Sequence, residues 1–254
     1  MTFNEFYTKL SMLYPKELSC EWDNDGIMCV DDMDKEVKKV LITLDVTMEA
    51  IKYAIQNHFD LIVSHHPLVF KAQKSLCPLN YTQEKLICLI KNNVGVMSFH
   101  TRLDAAKGGV NDVLAELVGL NNVTVDSSDL IGRIGTFDEK IALSTFAENV
   151  KKALKSNIVF YNGNRMVNKV YVAGGDGKDF IPNAILNGCD TLLTGRASYN
   201  TAIDACDMGI NIVEAGHYFT EHPVCFALQR EIKSIRNEIY TEVFCSKIFS
   251  VWFF

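Results

Sequence analysis

The chain lacks any apolar run long enough to cross a bilayer. A spanning helix needs about 18 or more consecutive apolar residues, and no segment of the 254 residues approaches that. The N-terminus, MTFNEFYTKLSMLYPKELSCEWDNDG, lacks a basic segment followed by an apolar one, so no signal or transit peptide is expected. The apolar tail, Ile248 to Phe254, is too short for an anchor and reads as a last strand or a tail pinned on the core. Eight cysteines occur without a C-x-x-C pair. Reduced thiols and a cytoplasmic location are the expectation. No Lys/Arg cluster stands out, and the formal net charge is −6. A general nucleic-acid surface is therefore not expected. An anionic small molecule would need a local source of positive charge. Low-complexity segments and long linkers are also missing.

What remains is ordinary globular material, 48% hydrophobic and 22% charged, enough for one large domain or two small ones. From Lys39 the chain reads KVLITLDVTMEAIKYAIQNHFDLIVSHHP, and from Lys169 it reads KVYVAGGDGKDFIPNAILNGCDTLLTGRA. Shifted by 130 positions, the two align without a gap. Lys39/Lys169, Val40/Val170, Ile51/Ile181, Ala54/Ala184, Ile55/Ile185, Asn57/Asn187 and Asp60/Asp190 are identical, and Ser64 meets Thr194. Each copy has the pattern strand, helix, strand. The fold class is therefore α/β, with two related lobes built on βαβ units and parallel strands. The lobes are expected to be residues 1–125 plus 222–254 and residues 126–221, with the junction somewhere in Leu120 to Leu130. Further helices are expected over Tyr81 to Asn92, Val110 to Leu117, Thr201 to Met208 and His222 to Arg236. Strands are expected over Val94 to Phe99 and Ile210 to Val213. Ile141 to Lys155 reads as a strand followed by a helix.

In parallel sheets, chemistry gathers beyond the carboxyl ends of the strands. Three apolar runs here end in metal-ligand residue types. His65 and His66 follow Leu61 to Val63, His100 and Asp104 follow Val94 to Phe99, and His217 and Glu221 follow Ile210 to Val213. Only six histidines occur, and four lie in these places. Imidazole with carboxylate suits Zn, Fe, Mn or Co. His217 and Glu221, four apart, share one side of a helical turn if one forms there. His65 and His66 are adjacent and would point to opposite faces of a strict strand, which two metals would reconcile. The second copy has Gly195-Arg196 where the first has His65-His66, so the shared scaffold does not demand the histidines. His58 and His222 read as structural, the latter at a helix start.

SHHPLVF, SFHTRLDAAKGGVND and GHYFTE together resemble the signatures of the Nif-three-like dinuclear-metal proteins, the GTP cyclohydrolase I type 2 homologues. The resemblance runs from EWDNDG at Glu21 to Gly26 through the helix after Glu221. It implies a Nif-three-like fold with a dinuclear metal site at strand C-terminal ends between the lobes. It further implies two divalent ions held by residues matching His65, His66, Asp104, His217 and Glu221, and a toroidal homohexamer, a trimer of dimers, with the sites facing a cavity. His100 falls near the metals and is a candidate acid/base catalyst. The chain departs from the pattern at Thr194 to Asn200, where an acidic residue and a histidine would be expected. Arg196 there, and Lys107 after Asp104, are candidate contacts to a substrate anion.

Two divalent cations exceed the charge of the two carboxylates, so the centre would favour a bridging hydroxide and an anionic ligand. The expectation is a metal-dependent hydrolase, a cyclohydrolase or phosphoester hydrolase, acting on a phosphorylated or nucleotide-like small molecule. The alternative is a metal carrier, chaperone or regulatory hexamer without turnover. A third reading is a structural site that staples the lobes. Ala173 to Asp179, AGGDGKD, follows a strand and precedes a helix. It reads first as a tight turn and second as a phosphate cradle. Trp22-Asp23-Asn24 reads as a turn near the cavity.

Overall fold

Val40, Leu41 and Ile42 are wholly buried, as are Leu61, Ile62 and Val63. Runs this apolar, buried on both faces, are what parallel strands covered by helices require. The computed structural model describes residues 1–246, so the apolar tail from Ile248 lies outside the described residues. The chain divides into two compact units, residues 1–106 with 225–246, and residues 107–224.

Unit 1 starts with α1 (Phe3–Leu13), closed at its N-terminus by a reciprocal Thr2/Glu5 capping box, which satisfies two otherwise orphan amides. Then follow β1 (Gly26–Cys29), β2 (Lys39–Thr43), α2 (Met48–Gln56), β3 (Leu61–Ser64), α3 (Tyr81–Lys91), β4 (Gly95–Ser98) and the short α4 (Thr101–Ala105). Unit 2 carries α5 (Val110–Leu117), β5 (Asn121–Val125), β6 (Arg133–Ile141), α6 (Leu143–Leu154), β7 (Val159–Tyr161) and β8 (Val167–Asp176). It continues with α7 (Ile181–Leu186), β9 (Thr191–Arg196), α8 (Tyr199–Asp207), β10 (Asn211–Glu214) and α9 (His217–Glu221). The chain returns to unit 1 through α10 (Val224–Ile235) and β11 (Tyr240–Val243).

The sheet of unit 1 has the order β1-β4-β3-β2-β11, and that of unit 2 the order β5-β6-β8-β9-β10-β7. In unit 1, β11, β2, β3 and β4 run parallel and β1 closes the edge antiparallel. In unit 2, β8, β9 and β10 run parallel and β7 closes the edge antiparallel. Along β8, Val170 and Val172 enter one core, while Tyr171 and Ala173 enter the other. This is the strand alternation of a sheet packed on both faces.

The repeat is written into the hydrogen bonds. Val40 pairs with Leu61 in unit 1, and Val170 with Thr191 in unit 2. Asp60 Oδ2 accepts from the amides of Lys38 and Lys39, and Asp190 Oδ2 from those of Asn168 and Lys169. Lys39 Nζ donates to the Asn57 carbonyl and Lys169 Nζ to that of Asn187, each at 2.6 Å. The identical residues thus tie the end of each helix to the start of its flanking strands.

Several boundaries differ from expectation. Residues 121–125, read as part of the lobe junction, form the exposed strand β5 paired to β6. The strand expected to begin at Ile141 ends there, because the Arg133 end pairs with Val172. His222 closes α9, and α10 starts after Pro223. Among the described residues, no helix is long and apolar enough to cross a membrane.

Candidate metal centre

The parallel register of β3 and β4 brings their carboxyl ends side by side. Ser64 pairs with Ser98, their hydroxyls lie 2.8 Å apart, and the Phe99 amide donates to the Ser64 carbonyl. The next residue on β3 is His65 and the next but one on β4 is His100, so both imidazoles emerge at one edge of unit 1. His66 stays with them because its amide donates to the Leu44 carbonyl, at the end of β2. One ring nitrogen from each of His65, His66 and His100 lies within 4.8 Å of the others. Asp104, on α4, places Oδ1 3.5 Å from His65 Nε2.

Each of the three rings has its Nδ1 engaged. His65 Nδ1 lies 3.0 Å from the Phe99 carbonyl, His66 Nδ1 2.8 Å from Asp45 Oδ1, and His100 Nδ1 2.9 Å from Asp23 Oδ1. A carbonyl or an ionised carboxylate can only accept, so the Nδ1 atoms donate. In the neutral rings Nε2 then carries the lone pair, the arrangement by which metal-ligating histidines are oriented. The donor set fits a divalent metal ion of the borderline type.

Asp23 is held by more than His100. Its Oδ2 accepts from the Thr101 amide and hydroxyl. Burial pushes its carboxyl up, but the bonds from His100 and Thr101 outweigh that and bring it down to about 2. The helix carrying Asp104 is fixed by Arg102, which is wholly buried. Its Nε and Nη2 grip the two oxygens of Asp25 at 2.9 Å, and Nη1 donates to the Tyr14 carbonyl. Burial again opposes ionisation of Asp25, yet Arg102 and Lys16 hold its carboxyl below the ordinary range. Trp22, 64% exposed, and Phe70, 47% exposed, stand edge-on to the His100 ring, with centroids 6.2 and 6.3 Å away.

The ligand-type residues of unit 2 lie on one turn. A helical turn, α9, does form there, and it puts His217 and Glu221 on one side, with His217 Nε2 2.9 Å from Glu221 Oε2. The glycines of AGGDG and TGR make this turn possible. A Cβ on Gly175 would collide with the Glu221 carboxylate, and one on Gly195 would collide with the Gly175 carbonyl, His217 Cα and the Thr220 hydroxyl. Gly175 has φ +68°, which also favours glycine. The phosphate-cradle reading of AGGDGKD is therefore set aside, because Glu221 fills the space at Gly175. The residue matching His65 in the repeat is glycine because α9 packs on it.

Arg196 ends β9 with its side chain exposed, and the Ala197 amide beside it donates to Glu214 Oε1. Burial raises the Glu214 carboxyl, opposed by that amide and by the Arg196 charge. Lys107 is exposed in the turn before α5. Neither cation belongs to the histidine clusters. Residue-by-residue reading missed the roles of Asp23, Asp25, Asp45 and Arg102. Asp45 had a usable signal, since it follows the β2 run as His65 follows β3. Asp23 and Asp25 lay in the quoted EWDNDG segment, and nothing local revealed their partners.

Two α/β units, and a cluster of imidazoles and carboxylates that could hold a metal ion, define a class of α/β proteins with a candidate metal centre. Within that class the chain belongs to the DUF34/NIF3 family, whose model, Duf34/NIF3 (NGG1p interacting factor 3), matches residues 1–250. It is 33% identical over 241 residues to a Clostridium perfringens protein named GTP cyclohydrolase 1 type 2 homolog, covering 92% of each chain. Among solved structures it resembles reduced HcgD from Methanocaldococcus jannaschii, with a TM-score of 0.82 and 31% identity over 96% of this chain and 97% of that one. A Staphylococcus aureus hypothetical protein matches with a TM-score of 0.89 and 25% identity over 99% of both chains. The resemblance drawn from the three motifs and the α/β fold expected from the repeat both hold.

Proposed function

We propose that the protein is a metal-dependent hydrolase acting on a phosphorylated or nucleotide-like small molecule. His65, His66, Asp104, His217 and Glu221 would hold two divalent ions of the Zn, Fe, Mn or Co type. The observation that carries this reading is the orientation of three clustered imidazoles, each with its Nδ1 proton spent on a carbonyl or carboxylate, which leaves Nε2 of His65 and His66 for a cation and Nε2 of His100 for a proton. When bound, the ions would supply an activated water and polarise a substrate oxygen. His65, buried and tied to the Phe99 carbonyl, keeps one donor fixed. His100, braced by Asp23, takes the proton of the attacking water at Nε2 and gives it to the leaving group. Trp22 and Phe70 offer exposed ring faces beside it, suited to a planar heteroaromatic ring. The name carried by the curated relatives, GTP cyclohydrolase 1 type 2 homolog, supports a purine nucleotide as the first substrate to try. The family resemblance extends the proposal to a homohexamer, which light scattering in solution would test.

Elemental analysis combined with a panel of nucleotides and phosphoesters tests the function. The wild type is expected to carry metal and to turn over at least one member of the panel in a metal-dependent way. His65→Ala and Glu221→Ala are expected to lose both metal and turnover. Metal loss with hydrolysis intact would reject the mechanism. Tight, exchangeable metal without turnover on any compound would favour the carrier reading.

A further inference from the structure

Unit 2 has a hollow of about 430 Å3 at the amino ends of β8 and β9, the opposite ends of those strands from Gly175 and Gly195. Lys140, Arg165, Lys169, Cys189 and Asp190 are among its lining. The repeat shows what a filled version of this edge looks like. In unit 1 the Lys39 ammonium lies over the rings of Phe59 and Tyr240, 4.9 and 5.3 Å from their centroids, and the rings themselves are 6.1 Å apart. Shifted by 130 positions, Phe59 becomes Cys189 and His58 becomes Gly188. The strand beside β2 is β11, which brings Tyr240, whereas the strand beside β8 is β6, which brings Lys140. Two aromatic rings are thus replaced by a thiol and a cation, and the space they fill in unit 1 is open.

The charges around the hollow are unbalanced. Asp190 is already engaged, with Oδ2 accepting from the Asn168 and Lys169 amides and Oδ1 from the Thr191 hydroxyl. Lys169 makes the same bond to the helix-end carbonyl as Lys39 does. Neither Arg165 nor Lys140 makes an ion pair among the described residues. The backbone of Arg165 is nonetheless anchored. Its carbonyl accepts from Nδ2 of the wholly buried Asn211, and its guanidinium lies over Gly209, where an added Cβ would be 3.6 Å away. Three cations around a concave space of ligand size focus positive potential, in a chain whose net charge is −6.

We propose that this hollow is a second binding site, for a small phosphate-bearing anion. The fork of Arg165 and the point charges of Lys140 and Lys169 match phosphate oxygens. The inference does not depend on the metal centre. Isothermal titration calorimetry of the full chain with pyrophosphate tests it, using three proteins: the wild type, the Lys140→Gln/Arg165→Gln double variant, and Cys189→Phe, which restores the ring present in unit 1. Metal content is measured in each, so that pyrophosphate held by a metal is told apart. The wild type is expected to bind, and both variants to bind at least about tenfold more weakly, or by about 1.4 kcal/mol, with metal content unchanged. Absence of binding to the wild type, or undiminished binding to the double variant, would overturn the proposal. Cys189→Phe that folds and still binds would do the same, and if it does not fold the double variant decides.

Discussion

The two units share one scaffold and use its two ends differently. At the amino ends of the strands they share a hydrogen-bonding frame, though not the side chains packed over it, with Asp60 and Asp190 each capping two amides and Lys39 and Lys169 each reaching the carbonyl that ends the following helix. At the carboxyl ends they part. Unit 1 places His65, His66 and His100 there, while unit 2 places Gly175 and Gly195, on which a short helix packs with its own His217 and Glu221. The polar residues retained by both copies satisfy backbone groups that any βαβ unit leaves open, and the retained apolar ones lie in the cores or pack against them. The ligand-type residues that differ sit where the chain leaves the strand and backbone pairing no longer restricts the side chain. A repeat therefore records the scaffold, and its mismatches point to chemistry.

The comparison can be broken most strongly at the buried arginine of unit 1. Arg102→Met would leave Asp25 buried with only Lys16 and Ser19 on its carboxylate, at a cost of about 3 kcal/mol. Chemical denaturation should show that loss, and metal content should fall with it, because α4 carries Asp104. Exchanging roles at the matched strand ends comes next. Gly195→Ala forces a methyl into the Gly175 carbonyl and the α9 backbone and should cost about 1–3 kcal/mol. His65→Gly, at the position it matches, should remove metal, read by elemental analysis, while unit 2 melts as before. Equal stability of Gly195→Ala and wild type would show that α9 does not depend on that glycine.

The smallest effect separates the units by acid. Asp25 in unit 1 and Asp126 in unit 2 both have carboxyls held below the ordinary range. Burial works against ionisation in each case. Arg102 and Lys16 oppose it at Asp25, while the Ser128 amide leads the opposing bonds at Asp126, helped by Tyr171, Ser128 and Asn183 side chains. A folded pKa below the unfolded value near 3.8 stabilises above that value and is lost as the pH falls through the folded one. Stability should therefore decline below about pH 4. Asp126→Asn should flatten that acid limb for unit 2 and leave the limb of unit 1 in place, as followed by pH-dependent denaturation.

Much of this could be read from residues alone. The gapless shift of 130 positions located both βαβ units. The apolar runs before His65 and His100 gave β3 and β4, while the spacing of His217 and Glu221 said only that a helical turn, if formed, would put them on one side, as α9 does. Strand β5 escaped because all five of its residues are exposed and carry no alternation. It exists because β6 offers it an edge.

Periodicity and strand ends are local properties, so the chain itself dictated the two α/β units, their register and the histidines at the carboxyl edge of the first. Which nitrogen of each histidine ring keeps its lone pair was beyond such reading. Asp23 reaches His100 across 77 residues and Asp25 reaches Arg102 across the same span, and Asp45 meets His66 only because β2 and β3 lie side by side in parallel. Pairings of that kind follow from packing, and the folded chain alone fixed the proton on Nδ1 and the glycines that make room for Glu221.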